Sequence, residues 1–122
     1  MVTLDTLRNL ALSFPEVTEE PHFEKTSFRV KKKIFVTYDD KNKRACIKLS
    51  EIDQNVFSAA GKAIIYPLEN KWGKQGWTLV EMRKVHKDLF TDALTTAYCE
   101  VASKKLADQV RPNYSERKTT NR

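Results

Sequence analysis

Residues 11–35, ALSFPEVTEEPHFEKTSFRVKKKIF, hold the reading that decides the fold. A helical stripe of Leu4, Leu7, Leu10, Ala11 and Phe14 runs into Pro15, which disfavours helical geometry at the residue before it and ends the element. Thr3 is the candidate N-cap, and Asp5 in the first turn suits the helix dipole. From Glu16 to Glu24 the chain reads as an acidic connector. At Ser27 the period changes to two: Phe28 and Val30 take one face, while Ser27, Arg29 and Lys31 take the other. Lys31-Lys32-Lys33 then turns the chain into a second strand, Ile34 to Tyr38.

Downstream the pattern repeats. Asp39 to Lys43 is a polar turn, and beyond it Ala45, Ile47 and Leu49 alternate with Arg44, Cys46 and Lys48. This is an antiparallel meander with one apolar face and one polar, mostly basic face. Ser50 to Asp53 reads as a capping-box variant opening a short helix to about Ala60, with Ile52, Val56 and Phe57 inward and Gly61 as the stop. Ala63 to Tyr66 is a short strand closed by Pro67, residues 69–76 form a loop, and Trp77 to Val80 is the last strand. A closing helix from about His86 to Leu106 carries the longest apolar stripe in the chain.

Helix, strands, helix, strand, strand, helix is an α+β order. The expected architecture is an antiparallel sheet of about five strands with the N- and C-terminal helices packed on one face. Residues 1–106 form the one domain, and 107–122 a flexible basic tail. Leu7, Leu10, Phe28, Val30, Ile47, Leu89, Leu94 and Val101 should be nearly inaccessible to solvent.

The formal net charge of +6 invites a nucleic-acid reading, but its distribution weakens it. Six basic and two acidic residues lie between Lys104 and Arg122, whereas residues 1–103 hold sixteen and fourteen. Most of the surplus thus falls on the expected tail. No apolar run reaches the roughly 18 residues that cross a bilayer, and no secretion leader is apparent, so the chain is expected in the cytoplasm, as a monomer, away from membranes. Cys46 and Cys99 are too few and too far apart for a disulfide framework.

Several segments resemble the MmcQ/YjbR family of small bacterial proteins, whose fold is similar to that of frataxins (CyaY). Arg8, Ala11-Leu12-Ser13 and Pro15 to Glu19 resemble its opening segment, and Phe28-Arg29-Val30 with Lys33 and Phe35 resemble its first hairpin. Asn70-Lys71 followed by Trp77 and Val80 resembles its loop-and-tryptophan motif, and the helix with Leu94, Ala97 and Tyr98 its last element. The resemblance covers about residues 3–106. It implies DNA binding, with the hairpins compared to a pair of wings. Family members often have His just before the tryptophan, where this chain has Gly76, so a role resting on that His has no residue to carry it.

The candidate nucleic-acid contacts are Arg29, Lys31, Lys32, Arg44 and Lys48 on the meander, with Lys71, Trp72 and Lys74 on the loop. Phe35 and Trp72 are the aromatics that could stack on bases, while Trp77 reads as core. Against this stands the ordinary use of lysine on strand edges to discourage aggregation. No helix-turn-helix, zinc-finger or RNP pattern is present, so any binding should be weak and independent of sequence.

His22 among Glu16, Glu19, Glu20 and Glu24 matches no standard metal spacing, and the first helix carries only Asp5 where frataxins have an acidic ridge. No nucleophile elbow or phosphate-cradling glycine loop occurs. Cys46, between Arg44 and Lys48, is the one residue whose thiol could be activated by neighbouring cations. A small non-enzymatic binding module without cofactor or metal is the expectation, with a protein-interaction or scaffold domain as the alternative.

Overall fold

A computed structural model describes residues 1–112. Its elements are α1 (Leu4–Ser13), β1 (Val17–His22), β2 (Lys25–Val30), β3 (Lys33–Asp39), β4 (Arg44–Lys48), α2 (Glu51–Ser58), β5 (Ile65–Pro67), α3 (Lys71–Lys74), β6 (Trp77–Glu81), α4 (Lys87–Val101) and α5 (Lys104–Val110). The strands form one antiparallel sheet in the order β1-β2-β3-β4-β6-β5.

Cross-strand register explains where the core lies. Phe28, Val36 and Ile47 stand opposite one another, as do Tyr38, Ala45, Val80 and Ile65, and all are buried. α4 packs on β3 and β4 across this face. α1 lies on the same side. Its Arg8 donates to Glu19, the register partner of Phe28, and Phe14 packs 4.8 Å from the Tyr98 ring of α4. The Tyr98 hydroxyl donates to the Pro15 carbonyl at 2.7 Å, which ties the two helices together at one end. The two helical stripes read from the sequence therefore do share one face.

The acidic connector is a correction: residues 17–22 are β1, an edge strand. The edge position tolerates Pro21, which has no N–H to give a neighbour, and its glutamates discourage pairing with another chain. A second correction concerns Phe35. The β2–β3 register passes from Phe28↔Val36 to Arg29↔Ile34, so Phe35 is an extra residue at a bulge. It turns into the core, edge-on to Tyr98 at 5.4 Å, and is not available to stack on bases.

α2 is rotated from its expected setting. Gln54 and Phe57 point inward, while Ile52 and Val56 are 65% and 61% exposed. The closing helix is broken at Ala102 and Ser103, where Ser103 caps α5. α5 folds back along α4, burying Leu106 and Ala107, and Arg111 reaches Asp92 at 2.6 Å. Ordered structure thus continues past Leu106, and the remainder of the expected tail, residues 113–122, lies outside the described residues. Of the expected core, Leu7, Phe28, Val30, Ile47 and Leu94 are buried; Leu10, Leu89 and Val101 are only partly so, being at the margins of the helix packing. Trp77 is half-buried and stands opposite Lys48, on the face turned away from α4.

Candidate nucleic-acid interface

Strand direction decides which cations can act together. β2 ends, and β3 begins, at the same end of the sheet as the last residue of β4, the first of β6 and the last of β5. Lys31, Lys32, Lys48 and the segment holding Lys71, Trp72 and Lys74 therefore lie at one end. Strands are about 4.8 Å apart, so roughly 15 Å separates the Lys31-Lys32 turn from the α3 segment. Arg29 is one pair in from this end. Arg44 is at the other end, opposite Glu81 and Asp39.

The candidates differ in how free they are. Lys31 and Lys32 have φ of 47° and 73°, left-handed at both central positions of a two-residue hairpin turn, which holds both side chains at the tip. Both are exposed, as is Lys33. Lys48 is engaged: its Nζ donates to the Leu49 carbonyl at 3.1 Å and lies 4.0 Å from the Glu100 carboxylate. Arg29 spends Nε on Ser27 Oγ and Nη2 on the Pro21 carbonyl, bracing β1 against β2. Arg44 donates to the Tyr66 hydroxyl at 3.4 Å, and Tyr66 in turn donates to Glu81. The Tyr66 contact holds the Arg44 guanidinium above its already high ordinary value, so it stays charged but partnered.

The α3 segment is built with little freedom. Asn70 caps it, its Oδ1 accepting the Trp72 N–H at 2.9 Å. A β-carbon at Gly73 would stand 1.8 Å from the Leu68 carbonyl oxygen. One at Gly76, where φ is +103°, would stand 1.8 Å from that of Leu49. No side chain fits at Gly76 without a shift of the backbone. Buried Gln54 pins the segment from below. Its Nε2 donates to the Gly73 carbonyl at 2.9 Å and to Thr78 Oγ1 at 3.0 Å. Beside it a cleft of about 490 Å³ is walled by Glu51, Asn55, Glu69, Asn70 and Lys74. Trp72 itself is 47% exposed, with the Lys71 ammonium over its ring, 5.5 Å from the centroid.

Sequence reasoning missed three cations at this end. Glu100 meets Lys48, and Tyr98 meets Pro15, so the C-terminal end of α4 lies here too. Lys104 and Lys105, assigned from the sequence to the basic C-terminal stretch, open α5 just beyond it and are exposed. With Lys33 they join Lys31, Lys32, Lys71 and Lys74. Glu16, Glu51, Asp53 and Glu69 lie at the same end, which limits the positive surplus.

Cys46 is a further correction. It lies in the outward row Ser27, Thr37, Cys46, Leu79, Tyr66, yet burial pushes its thiol up to about 11, against the opposing charge of Lys25. Arg44 and Lys48 do not activate it. Among the described residues no three of His, Cys, Asp and Glu come together as a metal site, and no helix is long and apolar enough to cross a membrane. Glu19 is spent on Arg8 at 2.9 Å.

The YjbR family model matches residues 12–100. The chain belongs to the YjbR family. The match spans the YjbR domain from the end of α1 to the end of α4. The crystal structure of Deinococcus radiodurans protein DR2400, with a DUF419 domain, is similar with a TM-score of 0.73. It is 22% identical, over 90% of this chain and 88% of that one, a likeness of fold. Among curated proteins none matches this chain.

Proposed function

We propose that this YjbR domain is a small non-enzymatic module that binds DNA weakly, without sequence preference, through one end of its sheet. The observation that carries the reading is topological: Lys31, Lys32, Lys33, Lys71, Lys74, Lys104 and Lys105 lie at one end although they are scattered along the chain. Lysines bind phosphates as flexible point charges and read no base edges, so affinity should follow charge and salt. Arg44, at the far end, and Lys48, already engaged, drop out of the contact set. The DNA-binding description that the family resemblance brings agrees with this assignment.

Fluorescence anisotropy with a short labelled duplex at low salt tests it. The full chain should bind weakly, with an affinity that falls steeply with salt and is the same for unrelated sequences. Changing Lys31, Lys32, Lys71 and Lys74 together to Glu should abolish binding; Lys→Gln at the same sites should flatten the salt slope by about 3–4 if all four touch phosphate. A chain ending at residue 112 should retain binding. If the shortened chain fails while the Glu variant binds as the parent does, the contacts lie in residues 113–122 and the sheet-end reading is wrong.

If the parent does not bind, the alternative of a protein-interaction domain takes over. One observation favours it: Phe23 is 93% exposed on the β1–β2 turn with φ of 59°, a bulky side chain held out in a conformation that costs energy.

A further inference from the structure

We infer that Trp72 is a stacking platform for an unpaired nucleobase, with Lys71 and Lys74 meeting the adjoining phosphates. This rests on the DNA-binding reading above and narrows it to single strands and frayed ends. Three observations converge on Trp72.

First, the segment has anchors other than the indole. The segment is fixed by other groups: the Asn70 cap, the close approach of Gly73 to Leu68, and the Gln54 hydrogen bonds to Gly73 and Thr78. A large apolar ring left 47% exposed gives up stabilisation that burial would supply. Its half-buried neighbour Trp77 instead opens β6, paired with Lys48 on one side and accepting the Leu68 N–H on the other.

Second, the backbone that carries the ring is held in place. Trp72 is the second residue of a capped turn, its own N–H accepted by Asn70, and Gly73 next to it is buried. A platform that is already ordered loses little entropy when a flat partner arrives.

Third, charge lies where stacking needs it. The Lys71 ammonium is over the indole at 5.5 Å, and Lys74 is one turn on along α3. A base that took this ring face from the Lys71 ammonium would leave that flexible charge, with Lys74, free to meet its phosphates. Paired bases offer only their edges in the grooves, whereas an unpaired base offers its flat face. An exposed indole thus selects for single-stranded chain, and does so without reading sequence.

The test is a titration of the full chain at low salt with an oligo-dT strand and with a blunt hairpin duplex, followed by intrinsic tryptophan emission and by anisotropy of labelled strands. The strand should quench emission and bind about tenfold more tightly than the duplex. Trp72→Ala should lower affinity for the strand about five- to one-hundred-fold, the range of one lost base stack, and leave duplex binding within about twofold. Trp72→Phe should recover most of the loss, and it keeps the test open if the alanine variant is poorly folded by circular dichroism. If the parent binds both probes but Trp72→Ala and Trp72→Phe bind the strand as the parent does, the platform is refuted while the DNA-binding reading stands. If the parent binds neither probe, both fall.

Discussion

Gln54→Leu is the substitution that probes how the α3 segment is held. The leucine side chain is close in volume, so the change removes polarity with little loss of packing. In the native protein the Gln54 Nε2 donates to the Gly73 carbonyl at 2.9 Å, to Thr78 Oγ1 at 3.0 Å and, more weakly, to the Trp77 carbonyl at 3.4 Å. Thr78 spends its own proton on the Gly76 carbonyl at 2.9 Å, so toward Gln54 it can only accept. Leucine would take this donor away: the Gly73 and Trp77 carbonyls would keep only the Gly76 and Leu68 N–H groups, at 3.1 Å each, and Thr78 Oγ1 would accept from nothing. Two good hydrogen bonds at about 1 kcal/mol each, one of them the only donor to a buried hydroxyl oxygen, give a loss of about 1–3 kcal/mol. The midpoint of urea unfolding should fall by roughly 0.5–1.5 M with an unchanged slope. Amide exchange across residues 69–76 should quicken before the rest of the sheet is affected, because the hydrogen bonds removed belong to that segment. A change in unfolding free energy below about 0.5 kcal/mol, with protection in residues 69–76 intact, would refute the claim that Gln54 holds the loop.

Two further outcomes follow from burial. Leu94→Ala, at a site in α4 with no exposure, should cost about 2–5 kcal/mol in denaturant unfolding, and a loss under about 0.5 kcal/mol would mean that α4 presents another side to the sheet. Cys46 should react with iodoacetamide at pH 8 roughly a hundredfold more slowly than a free thiol, since raising its pKa from 9.0 to about 11 depletes the thiolate in that proportion. Because the folded value lies above the unfolded one, burying the neutral thiol contributes stability that is complete below pH 9 and is lost as pH rises toward 11. Alkylation at the free-thiol rate across that range would show that Cys46 is not shielded.

The sequence marked its elements where period and punctuation agreed. α1 has a stripe, a cap and a proline stop, and β2 through β4 have alternation broken by polar turns, so their order and their single apolar face were readable. β1 was not, because an edge strand of Val-Thr-Glu-Glu-Pro-His needs only one hydrogen-bonded neighbour and carries the charge and proline that elsewhere signal a connector. The bulge at Phe35 was equally hidden: one extra residue turns the side chain to the opposite face, and nothing in Ile34-Phe35-Val36 announces it. In α2 the apolar residues Ile52 and Val56 outbid Gln54 for the inward face in any reading of hydropathy alone. What reverses this is a set of backbone acceptors contributed by residues 73–78, about twenty positions downstream.

The candidate site was legible as a set of residue types and not as a place. Counting charge along the chain splits Lys104 and Lys105 from Lys31 and Lys32, because sequence distance stands in for separation. The fold reverses that judgement, since α4 runs to the end of the sheet where the β2–β3 turn lies and delivers the start of α5 beside it. It also gives partners to Lys48 and Arg44, whose charges are as visible in the sequence as any other: Glu100 for Lys48, and Tyr66 with the neighbouring Glu81 for Arg44. A count of +2 over residues 1–103 is thus a poor guide to local field: carboxylates such as Glu19 are spent on Arg8 along the edge, while the lysines of one sheet end have few partners at close range. Binding that depends on such a surplus must be weak and sensitive to salt. Specificity, if the end of the sheet has any, has to come from an uncharged group, and Trp72 is the exposed aromatic that the α3 segment supplies there.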